Sequence, residues 1–304
     1  CLSSVEKTLR FRDVERVKKE LAFFLEQEVA QVKFVDRTFN CRHEHAMEIW
    51  KFLIEHDNGV TNFHFEITAD LLDEEELELI SRMRPGLIQL EIGVQSTNTE
   101  TIRAIRRKMD LKRLRYVVER INAGKNVHQH LDLIAGLPFE DYESFGRSFN
   151  EVYSMEPEQF QLGFLKVLKG SYMHDMVEEY GLKYRGKAPY EVLSTKWLPY
   201  SDVLRLKGVE DMVEVYYNSR QFLRTLKLFE QEFESAFAMY EYMAQYYDEQ
   251  HLTGLNHSRL ARYEIFHDLI GQKVEPEQMG VFEDALMCDL YFRENAKSRP
   301  SFAL

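Results

Sequence analysis

Cysteine is scarce in this chain: three residues, at positions 1, 41 and 288, among 304. That is too few, and too widely spaced, for the disulfide framework of a small secreted protein, so a reducing cytoplasm is the expected compartment. No apolar run approaches the ~20 residues that cross a bilayer. A basic-then-apolar leader is missing as well, so neither a membrane span nor secretion is expected. Basic residues are in deficit: 39 Lys and Arg against 51 Asp and Glu leave a net charge of −12. Such a field repels a phosphate backbone and argues against extended nucleic-acid binding. Low-complexity segments are lacking too. What remains, 44% hydrophobic and 30% charged residues, fits a soluble globular protein with a sizeable core, as one large domain or two unequal ones. The first residue is Cys1 rather than Met, so the natural start is expected to lie upstream.

From residue 10 to residue 170 an apolar, β-rich run alternates with a charged amphipathic stretch. The strands predicted are Gln31–Asp36, Asn62–Ile67, Leu87–Val94, Val127–Ala135 and Gln159–Val167. Their starts lie about 25 to 40 residues apart, the span of a βαβ unit whose parallel strands need a crossover helix. Helices are predicted over Asp13–Glu28, His43–His56 and Leu71–Met83, with Thr97 to Glu100 as a capping box for the next and Asn122 to Gly124 closing that crossover. Five such repeats predict an α/β fold with a parallel sheet, open or curved into a barrel. After about residue 185 the texture changes. Residues 201–250, 258–271 and 277–296 read as three or four helices of an all-α region. Val203, Leu206, Val209, Val213, Tyr216 and Tyr217 share one side of its first helix, and Gly208 interrupts that helix at a cost of about 1 kcal/mol. The domain reading is 1–185 for the sheet and 190–304 for the helices.

Polar groups sit where apolar strands end: Asp36 on the first, Glu66 in the second, Gln95 and Ser96 after the third, Asp132 in the fourth. A buried parallel strand normally reads as a continuous apolar run, so acids there cost desolvation unless paired or ligand-bound. Each alone fits a helix cap or an ion pair with Arg. Four strands carrying them toward one end of one sheet suggest a site.

These residues also form motifs. Gly93-Val94-Gln95-Ser96 with Ile102 and Arg107 resembles the fourth-strand motif of radical S-adenosylmethionine (SAM) enzymes. Asp132 to Glu140, with Gly136, Leu137 and Pro138, resembles the fifth-strand motif of that superfamily, and Phe65-Glu66 its third-strand acidic position. Cys1 then looks like the third cysteine of the family's Cys-x3-Cys-x2-Cys cluster motif. The resemblance implies a radical SAM barrel lacking its first strand, followed by the helical region, and a parent protein that binds a 4Fe–4S cluster and SAM. Asp36-Arg-Thr-Phe39 and the tail resemble the cobalamin-associated, Fe–S oxidoreductase-type branch, which implies cobalamin through an upstream domain and an oxidoreductase or methyltransferase activity. A small-molecule substrate and an electron donor such as a flavodoxin or ferredoxin are implied partners.

The resemblance assigns Cys1 to the metal and Asp36, Glu66, Gln95, Ser96, Arg107, Asp132 and Gly136 to the cofactor. Glu66 would accept from the SAM ammonium or ribose hydroxyls, with Asp36 a further contact to the ammonium. Gln95 both donates and accepts, Arg107 would pair with the methionine carboxylate, Asp132 would take ribose hydroxyls, and Gly136 would let the backbone approach the adenine. One thiolate cannot replace three, so the chain as given is expected to hold no cluster and to be inactive alone. The remaining candidates read as structural. His128 and His130 alternate on a strand face with no partner ligands; His43 and His45 share no helical face; His251 and His257 stand alone. Cys41 is a lone cysteine and Cys288 a small core residue. Arg103, Arg106 and Lys108 are a solvated face, with Arg107 the exception. Two other functions stay open: a non-catalytic scaffold whose helical tail binds a protein partner, and an ordinary βα enzyme for a phosphorylated metabolite, against which stands the lack of a Gly-rich phosphate loop.

Overall fold

The structure, a computed structural model, describes residues 9–293 and 299–303. Cys1 lies outside the described residues. The chain divides into two compact units at Pro199/Tyr200, later than the change of texture near 185, because an antiparallel pair that straddles that point belongs to the first unit.

In the first unit five strands, β1 (Gln31–Lys33), β2 (Asn62–Ile67), β3 (Ile88–Gln95), β4 (His128–Ala135) and β5 (Gln159–Phe164), pair in sequential order. Every pairing is parallel. The result is an α/β open partial barrel with β1 at its edge among the described residues. Between the strands run α1 (Val14–Glu26, ahead of β1), α2 (His43–Glu55), α3 (Glu74–Ser81), α4 (Thr99–Ala104), α5 (Leu111–Gly124) and α6 (Tyr142–Tyr153). After β5 come α7 (Tyr172–Asp175) and the pair β6 (Lys183–Tyr184) and β7 (Val192–Ser194). The extended chain between β5 and α7 bridges Glu191 antiparallel from Lys166.

Helix starts follow the side-chain caps available. Asp13, Asp73, Asp110 and Asp141 cap α1, α3, α5 and α6 by accepting from backbone N–H groups in the first turn. The helix expected over Leu71–Met83 is therefore shorter, since Asp73 with Glu76 forms a reciprocal capping box that fixes its start. The cap of α4 is Asn98, whose side chain accepts from the N–H groups of Glu100 and Thr101. Thr97, expected in that role, instead donates its hydroxyl to Ser148.

The register gives the sheet two unlike faces. Phe63, Phe65, Ile67, Leu90, Ile92, Leu131, Leu133, Phe160 and Leu162 share one face, and all are buried. Trp50 of α2 meets Phe65 edge-on at 6.1 Å, and Phe149 of α6 meets Phe160 at 5.0 Å. Each such ring stabilises the fold by roughly 1.5–3 kcal/mol on burial. The opposite face is mostly polar, with Ile134 and its partner Gly163 among the exceptions.

The second unit is helical: α8 (Tyr200–Met212), continued by a π-helical turn over Val213–Asn218, α9 (Leu223–Phe229), α10 (Ala236–Glu249), α11 (Arg259–Gly271) and α12 (Met279–Arg293). Among the described residues these are five α-helices where three or four were expected, because the long stretch 201–250 breaks twice. Val203, Leu206, Val209, Met212, Val213 and Tyr216 are buried, Tyr217 less so. Gly208 has a packing reason: a Cβ there would lie 3.0 Å from the Cβ of Ala244 on α10. The aromatic residues of this unit are core, as in Tyr216 against Phe266 at 4.8 Å and Phe222 against Tyr263 at 4.6 Å. Cys288, expected in that core, is exposed. Its neighbour Asp289 is the buried one, accepting from the N–H groups of Arg224 and Thr225 and from the Thr225 hydroxyl at the start of α9.

Candidate functional site

The polar sheet face carries the chemistry. Parallel partners in register share a face, so Lys33 and His64, Glu66 and Glu91, Glu91 and His130, and Gly93 and Asp132 lie side by side across β1 to β4. Toward the carboxyl ends this face joins four of the residues expected at a site. Gln95 Nε2 donates to Asp132 Oδ2 at 3.0 Å. Arg107, reaching in from beyond α4, donates to the Gly93 carbonyl, while Arg103, Arg106 and Lys108 stay exposed. A Cβ on Gly93 would stand 2.6 Å from Gln95 Nε2 and 3.6 Å from the Arg107 guanidinium, so glycine makes room for both. Gln95 itself sits at φ +71° where the β3–β4 register shifts. A left-handed non-glycine residue is strained, and strain of this kind collects at functional positions.

Electrostatics tie the group together. Burial, then the charge of Glu91, pushes Asp132 up to about 7, against the pull of Arg107 and the Gln95 hydrogen bond. Its Oδ1 is buried with no partner. Burial and the adjacent Glu91 also raise Glu66. Burial lowers Arg107, opposed by Asp132, Asp70 and Glu66. Two acids, a carboxamide and one guanidinium are thus held half-buried with an unspent acceptor among them, an arrangement that suits a ligand with amine, hydroxyl and carboxylate groups.

Further along the same face lies a second polar layer that sequence reasoning dismissed. His64 Nε2 is 2.9 Å and Lys33 Nζ 3.1 Å from Glu91 Oε2. Burial raises Glu91, but Lys33 and the neighbouring His130 and His64 outweigh it and hold the acid below its ordinary value. Burial also lowers His64 and His130. Both imidazoles have a buried Nε2 without an aligned hydrogen bond. The partners of His130 were thus present on β2 and β3; only the pairing register, which a single strand does not reveal, brings them together.

Three expected residues fall elsewhere. β1 ends at Lys33, so Asp36 is no strand-end acid but an exposed loop residue. It opens with Arg37 and Cys41 on a cavity of about 1050 Å³ beside β1 and α1, whose described lining excludes Glu66, Gln95, Arg107 and Asp132. Ser96 is fully buried, donates to Glu140 Oε1 at 2.6 Å and accepts from the Asn98 N–H. Its hydroxyl locks the end of β3 to the loop after β4 and is not free for a cofactor. Gly136 has φ +83°, and a Cβ there would lie 2.6 Å from Val192 Cγ1. The close approach that needs glycine is thus made by the protein's own β7.

Residues 1–152 match the family described as "Radical SAM superfamily", and residues 178–304 the family described as "Protein of unknown function (DUF4080)". Over 110 residues the chain is 29% identical to an oxygen-independent coproporphyrinogen III oxidase of Salmonella typhimurium and 27% identical to one of Pseudomonas aeruginosa. These stretches take in 33% and 36% of this chain and 23% of each relative, so the chain spans less than a quarter of the length of the curated relatives it matches. The radical S-adenosylmethionine methyltransferase TsrM of Kitasatospora setae, solved with tryptophan substrate and the SAM analog aza-SAM, superposes with a TM-score of 0.51 at 13% identity, over 59% of this chain and 36% of that one. That likeness is one of fold. Among the described residues no helix is long and apolar enough to cross a membrane. With half of its length matching the family, the chain belongs to the radical SAM superfamily, and its sheet of five parallel strands accords with that.

Proposed function

We propose that the chain serves SAM-dependent radical chemistry on a small molecule, with Glu66, Gln95, Arg107 and Asp132 holding SAM. The observation that carries the reading is the buried, unpartnered Asp132 Oδ1 between Gln95 and Arg107. An unsatisfied acceptor of this kind costs about 1–3 kcal/mol unless a ligand donor meets it. Ribose hydroxyls suit Asp132, the methionine ammonium suits Glu66, and the planar fork of Arg107 suits the methionine carboxylate. The family implies a 4Fe–4S cluster together with SAM. Bound, the pair supplies one-electron cleavage of a carbon–sulfur bond. Among the described residues Cys41 and Cys288 are single and lie in different units, and Cys1 lies outside them, so these residues fit SAM but do not by themselves form a thiolate set. His64, Glu91 and His130, farther from the strand ends, would face the substrate. An electron donor such as a flavodoxin or ferredoxin belongs to this proposal.

The experiment is a SAM titration of the chain by calorimetry, with Asp132→Ala, Arg107→Met and Glu66→Gln alongside. Each lost charge-assisted contact should weaken binding by roughly tenfold or more. Unchanged affinity in all three variants would refute the assignment, as would the lack of any binding at millimolar SAM.

A further inference from the structure

We propose that His43, Asp73 and Glu76 bind a first-row divalent cation at the facing N-termini of α2 and α3. None of the three belongs to the group that would hold SAM. Their donor atoms all lie within 4.8 Å of one another. His43 Nδ1 is 3.1 Å from Asp73 Oδ2 and 3.6 Å from Glu76 Oε2. A tetrahedral ion with bonds of about 2.0–2.1 Å keeps neighbouring ligands about 3.3–3.4 Å apart, which these two distances bracket.

The orphaned atoms point to a ligand. His43 Nδ1 is buried yet makes no aligned hydrogen bond to either carboxylate, as expected of groups that converge on a common point. Glu76 is 1% exposed, and its Oε1 has no partner. The capping box uses Asp73 Oδ1, which accepts from the Glu76 N–H at 2.9 Å, and one lone pair of Glu76 Oε2, which accepts from the Asp73 N–H at 3.1 Å, and leaves Glu76 Oε1 unengaged. It requires neither a histidine nor a fully buried glutamate. One imidazole and two carboxylates, with no thiolate, suit Zn²⁺, Mn²⁺ or Fe²⁺.

Co²⁺ is the probe, titrated into the whole chain and followed by visible absorption. Wild type should take up one equivalent with d–d bands and no near-ultraviolet thiolate band. His43→Ala, which leaves the capping box intact, should weaken that uptake by about 100-fold or more. Zn²⁺ should raise the thermal midpoint of wild type and not of His43→Ala. Glu76→Gln should behave likewise, with its folding checked by circular dichroism. Equal Co²⁺ uptake by wild type and His43→Ala overturns the proposal; so do bands of thiolate character alone, which would put the ion on cysteine, and so does a wild type without d–d bands.

Discussion

Glu140 offers a test of the site's scaffold that needs no cofactor. Its side chain is 1% exposed, accepts from the Ser96 hydroxyl at 2.6 Å and the Ser148 hydroxyl at 3.1 Å, and leaves Oε2 without a partner. Burial pushes its pKa from 4.5 to about 7, with the two serine hydrogen bonds holding it partly down. Between these values the folded chain binds a proton that the unfolded chain has released. Stability is therefore full below about pH 4.5 and declines as pH rises through 7. A difference of about 2.5 pKa units amounts to about 3 kcal/mol, of which about 2–3 kcal/mol falls between pH 5 and pH 8. Glu140→Gln keeps the shape and an acceptor for Ser96 while removing the charge. It should be near-neutral at pH 5 and stabilising by about 2–3 kcal/mol at pH 8. Both tryptophans, Trp50 and Trp197, lie in the first unit, so urea unfolding followed by their fluorescence reports on that unit alone. Other titrating groups are common to both proteins and drop out of the comparison. A stability difference that stays flat within about 0.5 kcal/mol from pH 5 to pH 8 would falsify the reasoning.

Further expectations rest on packing and capping. Gly136→Ala forces a Cβ to within 2.6 Å of Val192 at φ +83° and should cost about 1–3 kcal/mol. Adding Val192→Ala should recover only part of the loss, since the strained φ persists; full recovery would show that sterics alone act. Asp289→Ala removes the acceptor for the Arg224 and Thr225 N–H groups and the Thr225 hydroxyl and should cost about 2–4 kcal/mol, measured as loss of helical circular dichroism on urea titration. A cost below about 0.5 kcal/mol would mean water replaces it. Gly93→Ala should weaken SAM binding with little loss of stability, because the intruding Cβ displaces the flexible Gln95 amide rather than backbone. Calorimetry and thermal melts separate the two effects.

Strand order was readable because five apolar runs at βαβ spacing leave few topologies once each crossover is a helix. The acids of β2 and β4 and the glutamine of β3 were readable because charge inside an apolar run is costly and therefore informative. Ser96 and Gly136 show the limit of motif reading. Both sit within motif segments, yet one ties two loops together through Glu140 and the other yields space to Val192. A motif preserves the fold of the site as well as its ligand contacts, and sequence spacing does not divide the two. Asp36 was misplaced because β1 stops three residues early, and edge strands lack a second neighbour to fix where they end. The cluster of His43, Asp73 and Glu76 was invisible for a related reason: its members meet across two helices, whereas a search at i, i+4 looks along one.

The strongest unread signal was the second face of the sheet. Helix-covered parallel strands are expected to be apolar on both sides, yet Asn62, His64 and Glu66, then Gln89, Glu91, Gly93 and Gln95, then His128, His130 and Asp132 occupy every second position of three successive strands. Taken singly, each looks like an exception to a buried strand. Together they form a period of two with the apolar set Phe63, Phe65, Ile67, Leu90, Ile92, Leu131 and Leu133 in the gaps. A parallel sheet with that alternation covers only one side with helices and turns the other toward water or a ligand. The half-buried state of Glu66, Glu91 and Asp132, with the unpartnered Oδ1 of Asp132, favours a ligand. Bulk water would satisfy that atom without strain, and nothing in an open solvent face would press Asp132 toward a pKa of about 7. The same alternation separates the two layers of the site. The carboxyl-terminal layer of Glu66, Gln95, Arg107 and Asp132 mixes donors and acceptors, whereas the layer of Lys33, His64, Glu91 and His130 pairs one acid with three bases, and burial lowers both of its imidazoles.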